Sequence, residues 1–198
     1  MDYRAVKDRC AVDLRDMPSK EVEHALRVLE KKGFEVVEID IVALARSMMT
    51  RSTYRLGALF AEAPEYVDCS SFTKWLYGAR GIYLPRRALQ QRDIGYPVAI
   101  EEMVAGDLIF SKGCQGYYRR DPTDDVGHVG IVTGNDTVIH ACSKSGLIEG
   151  GLEAFTAPER FRGVRRYIPL AAPVVTLRCP PGTDVESSDD ICLLLLGK

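Results

Sequence analysis

The stretch YVDCSSFTKWLYGARGIYLPR, residues 66–86, places a cysteine, Cys69, among small polar residues at the head of an apolar run. Phe72, Trp75, Leu76 and Ala79 recur at i, i+3, i+4 and i+7 and Gly81 closes the pattern, which predicts a helix beginning at or near Cys69. A thiol becomes a working nucleophile when its pKa falls toward neutrality. The two common devices are the positive end of a helix dipole and an adjacent imidazole. The chain holds three histidines, His24, His128 and His140. His24 sits beside Glu21 and Glu23 in a charged helical segment and reads as solvent-facing. His128 and His140 belong to HVGIVTGNDTVIHACS, in which two β-rich runs, 128–133 and 137–142, flank the turn residues GND. Facing strands of such a hairpin bring the two imidazoles directly or diagonally opposite each other. One could then act as base on the thiol while the other orients it.

The residues alone leave other readings open. Cys69 could be a small buried thiol. The histidines could form a structural pair, or with Cys142 part of a zinc site, although no paired short spacing supplies four ligands.

The elements that must position these groups follow from the same patterning. SKEVEHALRVLEKK (19–32) carries Val22, Ala25, Leu26 and Leu29 on one face and is followed by Gly33, a surface helix with its stop. FEVVEI (34–39) has strand composition, and DIVALARSMM (40–49) reads as a helix with Asp40 as its N-cap. Beyond Pro85, VAIEEMVAGDLIFS gives a helical turn, a Gly106-Asp107 bend and a strand over 108–111. A Gly-, Asp- and Pro-rich loop spans 112–127, long enough to suggest a functional role. GVRRYIPL reads as a further strand. The expected division is an N-terminal helical extension (1–40), a catalytic domain (41–170) and a C-terminal extension (171–198) that is proline-rich, then acidic, then apolar.

A net charge of −2 from 26 basic and 28 acidic residues leaves no broad electrostatic footprint for nucleic acid. The short clusters Arg86-Arg87, Arg119-Arg120 and Arg165-Arg166 read as solvated surface. No run reaches the roughly 18 apolar residues of a membrane span. The charged N-terminus MDYRAVKDRCAVDLRDMPSK lacks an apolar signal core, so a cytoplasmic location is expected as the chain stands, with secretion or injection if a leader is missing. Six cysteines without a CxxC pair fit reduced thiols. No cofactor and no resident metal are expected.

In order, DCSSF, GIYLPRRALQQ, VAGDLIFS, HVGIVTGNDTVIHA and FRGVRR over about residues 50–167 resemble the NlpC/P60 family of cysteine peptidases. The resemblance implies an α+β, papain-like core, with a helix bearing the cysteine packed on an antiparallel sheet bearing the histidines. It implies Cys69 as nucleophile, His128 as general base and His140 as its orienting partner. Tyr54 in RSTYRLG, Asp68 and Ser70 match positions that hold the substrate's free amino end. A peptidoglycan or muropeptide substrate cut between D-γ-glutamate and a diamino acid is the implied chemistry, with acyl transfer, amidase action or a non-catalytic binding module as alternatives. The chain departs from the pattern at Ser71 (usually glycine), at Gly57-Ala58 (commonly Gly-Gly) and at Ala88 (often serine), changes expected to act on substrate fit.

Overall fold

A computed structural model describes residues 3–15, 19–113, 125–170 and 173–195. In chain order the first elements are β1 (Arg9–Asp13), α1 (Ser19–Lys31), β2 (Glu35–Val36), α2 (Ile41–Met48), β3 (Thr53–Tyr54) and β4 (Tyr66–Val67). There follow α3 (Cys69–Ala79), α4 (Ala88–Ile94), β5 (Tyr96–Val98), β6 (Leu108–Lys112), β7 (Val126–Val132) and β8 (Thr137–Cys142). The chain ends with β9 (Gly146–Gly151), α5 (Glu153–Thr156), β10 (Phe161–Arg166), β11 (Val174–Arg178) and α6 (Ser188–Leu195). Residues 114–124, most of the expected functional loop and all of the Arg119-Arg120 pair, lie outside the described residues.

The chain divides into two compact units. One combines residues 1–39, 77–83 and 168–198. Its three-stranded antiparallel sheet runs β1-β11-β2, with Cys10 opposite Leu177. Cys10, Val12, Leu14, Leu29, Phe34, Leu177, Cys179 and Ile191 form one buried cluster there. The two segments expected as separate extensions thus share a sheet and a core, because β1 and β11 each bury alternate apolar side chains that neither segment could cover alone. The strand expected over 34–39 is reduced to β2, which pairs at only two positions. Gly81, at φ +70°, turns the chain where an added Cβ would lie 2.6 Å from the Ala11 nitrogen.

The other unit, residues 40–76 and 84–167, is built on a six-stranded antiparallel sheet in the order β5-β10-β6-β7-β8-β9. Its core includes Ile109, Val132, Val138, Phe155 and Val164. The helix read from the spacing after Cys69 is α3, which buries Phe72 and Leu76 completely. Asp40 caps α2 by accepting from the N–H groups of Val42 and Ala43. The hairpin read around GND is β7 and β8, with Ile131 opposite Ile139 and Val132 opposite Val138.

Two arginine clusters read as solvated surface hold ion pairs with buried carboxylates. Arg166 donates from Nε and Nη2 to both oxygens of Asp107, which is 1% exposed. Arg86 forks onto Asp68 in the same bidentate manner. A carboxylate taken out of water requires such a partner. Among the described residues, no helix is long and apolar enough to cross a membrane.

Candidate active site

Local chemistry explains why α3 begins where it does. Asp68 Oδ1 accepts from the Ser71 N–H at 2.9 Å, and Ser71 Oγ accepts from the Asp68 N–H at 2.8 Å, a reciprocal capping box built from an aspartate and a serine. The Phe72 N–H bonds to the Asp68 carbonyl, opening the helical ladder. With the Ser71 and Phe72 donors engaged, the N–H groups of Cys69 and Ser70 stand ahead of that ladder at the positive end of the helix. Ser71 is fully buried and is not part of the cavity wall, so its departure from the family pattern acts on the cap rather than on a substrate pocket. Gly57 and Ala88 do line the cavity.

A second layer fixes the helix start. Gln91, fully buried on α4, donates to the Ser70 and Pro85 carbonyls at 2.9 Å each and accepts from Thr73 Oγ1. Asp68 also accepts from the Gly57 N–H and from Ser70 Oγ. Burial alone would raise its carboxyl, but the Arg86 guanidinium and the Ser71 and Gly57 N–H donors outweigh that and hold it below the ordinary carboxylate value. Both oxygens are thereby engaged within the protein.

The Cys69 thiol points at β7, its Sγ 3.9 Å from the Gly127 carbonyl oxygen, one residue before His128. His128 and His140 meet through Nε2 and Nδ1 at 2.9 Å, the diagonal contact that the hairpin spacing allowed. Gly130 makes that contact possible. An added Cβ there would lie 2.4 Å from Val138 Cγ1 and 3.0 Å from His140 Cβ, so only a bare backbone leaves room for the second imidazole. Phe155 of α5, 2% exposed, stacks on His128 with ring centroids 5.4 Å apart and meets His140 edge-on at 5.1 Å. Nothing in the sequence around Phe155 marks it for this role, since α5 is a single turn.

Electrostatically the resting pair is neutral. Burial, with the Asp68 charge second, pushes the Cys69 thiol above its ordinary value, and this outweighs the opposing N–H groups of Val129 and Ser70. Burial, then the positive charges possible on His140 and present on Arg160, push His128 well below its ordinary value; burial and Arg160 lower His140. Because His128 Nε2 is committed to His140, Nδ1 is the nitrogen available to exchange a proton with a thiol.

These groups line a cavity of about 470 Å³ together with Tyr54, Asp68 and Ser70, so all six residues singled out from the sequence converge on one site. Cys142 lines it too, but among the described residues no group of three or more His, Cys, Asp or Glu side chains is arranged to hold a metal. A thiol, an imidazole with an oriented proton, and helix-start N–H groups beside the thiol together can perform acyl transfer from an amide.

A family model described as "NlpC/P60 family" matches residues 51–166. A probable endopeptidase of Corynebacterium glutamicum is 37% identical over 122 residues, covering 60% of this chain and 52% of that protein. A gamma-D-glutamyl-L-lysine dipeptidyl-peptidase of Bacillus cereus is 33% identical over 105 residues, covering 52% of this chain and 29% of that protein. Among solved structures, NlpC1 from Trichomonas vaginalis aligns with a TM-score of 0.53 at 26% identity, covering 65% of this chain and 44% of that one. The chain spans about half the length, or less, of these three proteins.

Proposed function

The chain belongs to the NlpC/P60 family, with its papain-like α+β fold, and on that premise we propose that it is a cysteine endopeptidase acting on peptidoglycan-derived stem peptides at the D-γ-glutamyl–diamino acid bond. The observation that carries this reading is the convergence of Cys69 with the 2.9 Å His128–His140 pair on one cavity. The name of the Bacillus cereus relative supports the choice of bond.

In this mechanism His128 Nδ1 takes the thiol proton as Cys69 Sγ attacks the γ-glutamyl carbonyl. His140 accepts the His128 Nε2–H and so holds the ring in the productive tautomer. The oxyanion is received by N–H groups at the start of α3. Imidazolium His128 then protonates the departing amine, and water resolves the thioester with His128 again as base. Tyr54, Asp68 and Ser70 are assigned to the free amino end of the stem. Because Arg86 already neutralises Asp68, the ammonium there joins an existing ion pair rather than meeting a free carboxylate.

Digestion of purified muropeptides followed by mass analysis tests this reading. Release of an L-alanyl-γ-D-glutamate fragment is expected, and adducts with an added amine would reveal transfer. Products cut only elsewhere in the stem, or no products, would overturn the assignment.

A further inference from the structure

Among the described residues of the catalytic unit, Arg46, Arg55, Arg86, Arg92, Arg162 and Arg166 each engage a carboxylate, and Arg51 and Arg165 donate to backbone carbonyls. Arg160 does neither. Its backbone is pinned at both polar groups, the N–H to the Ala157 carbonyl and the carbonyl to the Lys112 N–H, at 2.8 Å each. Its side chain lines the same cavity as Cys69, His128 and His140, and its Nε is buried without a hydrogen-bond partner. Among the described residues no carboxylate reaches it. A buried, unsatisfied guanidinium donor is costly and uncommon in a folded protein, and the edge formed by Nε and one Nη matches the two oxygens of a carboxylate.

We infer that Arg160 is the receptor for the free α-carboxylate of the D-glutamyl residue whose side-chain carbonyl is attacked, so that the enzyme selects stems carrying glutamate over stems whose α-carboxylate is amidated. This rests on the endopeptidase reading above. A γ-linked glutamyl substrate carries that carboxylate a few bonds from the reacting carbon, within the reach of one cavity wall. The remaining charged wall residues fit the assignment: Asp68 is neutralised by Arg86, and Arg87 is exposed, which leaves Arg160 as the partly buried cation facing the histidines. Burial is the main cause that depresses both imidazoles and the Arg160 charge adds to it, so an anion seated on Arg160 offsets that second contribution and strengthens the base.

Matched stem tripeptides that differ only in a free or amidated D-glutamyl α-carboxylate test the inference on the full chain. The native protein is expected to show kcat/KM about 10- to 100-fold higher on the free acid, the range of a charge-assisted hydrogen bond. Arg160→Gln is expected to erase that preference, the loss on the acid appearing chiefly in KM; Arg160→Lys retains part of the preference. Equal rates on both peptides with the native protein overturn the inference while leaving the endopeptidase reading standing. Equal loss on both peptides in a normally melting Arg160→Gln does the same. Cleavage of neither peptide defeats the underlying reading and the inference with it.

Discussion

His128 Nε2 and His140 Nδ1 lie 2.9 Å apart, an arrangement that spends one nitrogen of each ring on the other and leaves His128 Nδ1 for the proton of Cys69. If His140 serves to hold that tautomer, the kind of atom at its tip matters more than its charge. His140→Ala is expected to lower kcat by about 100-fold with little change in KM, and His140→Asn, which still offers an acceptor, to lower it less. Steady-state kinetics on one stem peptide checks the order; equal rates for His140→Ala and the native protein would remove His140 from the mechanism.

Gly130 supplies the space for that contact. Gly130→Ala would drive a methyl toward Val138 Cγ1 and His140 Cβ, and it is expected to cost about 1–3 kcal/mol of stability. The kcat should fall by more than the lost folded fraction explains. Thermal melts read beside activity separate the two effects.

Ser71 belongs to the helix cap. Ser71→Gly restores the residue usual in the family and removes the acceptor for the Asp68 N–H, with an expected loss of about 1 kcal/mol and an unchanged kcat/KM. A shift in substrate preference in this variant would return Ser71 to the pocket.

The neutral resting pair fixes a pH dependence. His128 and His140 are lowered in the folded chain, His128 to about 3, so from about pH 6.5 down to about 3 the unfolded chain binds a proton at His128 that the folded one does not, and His140 adds to the difference in the same direction. Stability is therefore complete above the ordinary histidine value and falls as the pH drops below it. Urea midpoints at pH 7.5 and 5 should show the fall, and replacing both histidines by glutamine should flatten it. The raised Cys69 thiol is expected to react with iodoacetamide at pH 8 more slowly in the free folded protein than in the denatured chain. Faster labelling in the folded state would point to a standing thiolate.

Much of the site was legible because its signals are local. The apolar spacing after Cys69 located α3, and the turn residues between two β-rich runs paired the histidines. What escaped depends on distant partners. β1 was not read as a strand, because its pairing with β11 joins residues more than 160 positions apart, such as Cys10 and Leu177. The glycines of β9 hid that strand, and α4 is too short to show a helical period. Phe155, Gln91 and Arg160 carry no signal in their own neighbourhoods; each matters only through what the fold brings beside it. Arg86 and Arg166 read as surface charge for the same reason, since nothing local marks Asp68 and Asp107 as their partners.

The most direct test of the account is the hydrolysis of an L-alanyl-γ-D-glutamyl-diamino acid tripeptide by Cys69→Ala, measured beside its thermal melt. The expected result is a kcat reduced about 10,000-fold or more with the melting temperature essentially retained, because the thiol supplies the bond-forming atom and the capping box that starts α3 does not involve its side chain. Hydrolysis by Cys69→Ala at a rate near that of the native protein would contradict the assignment of Cys69 as the nucleophile.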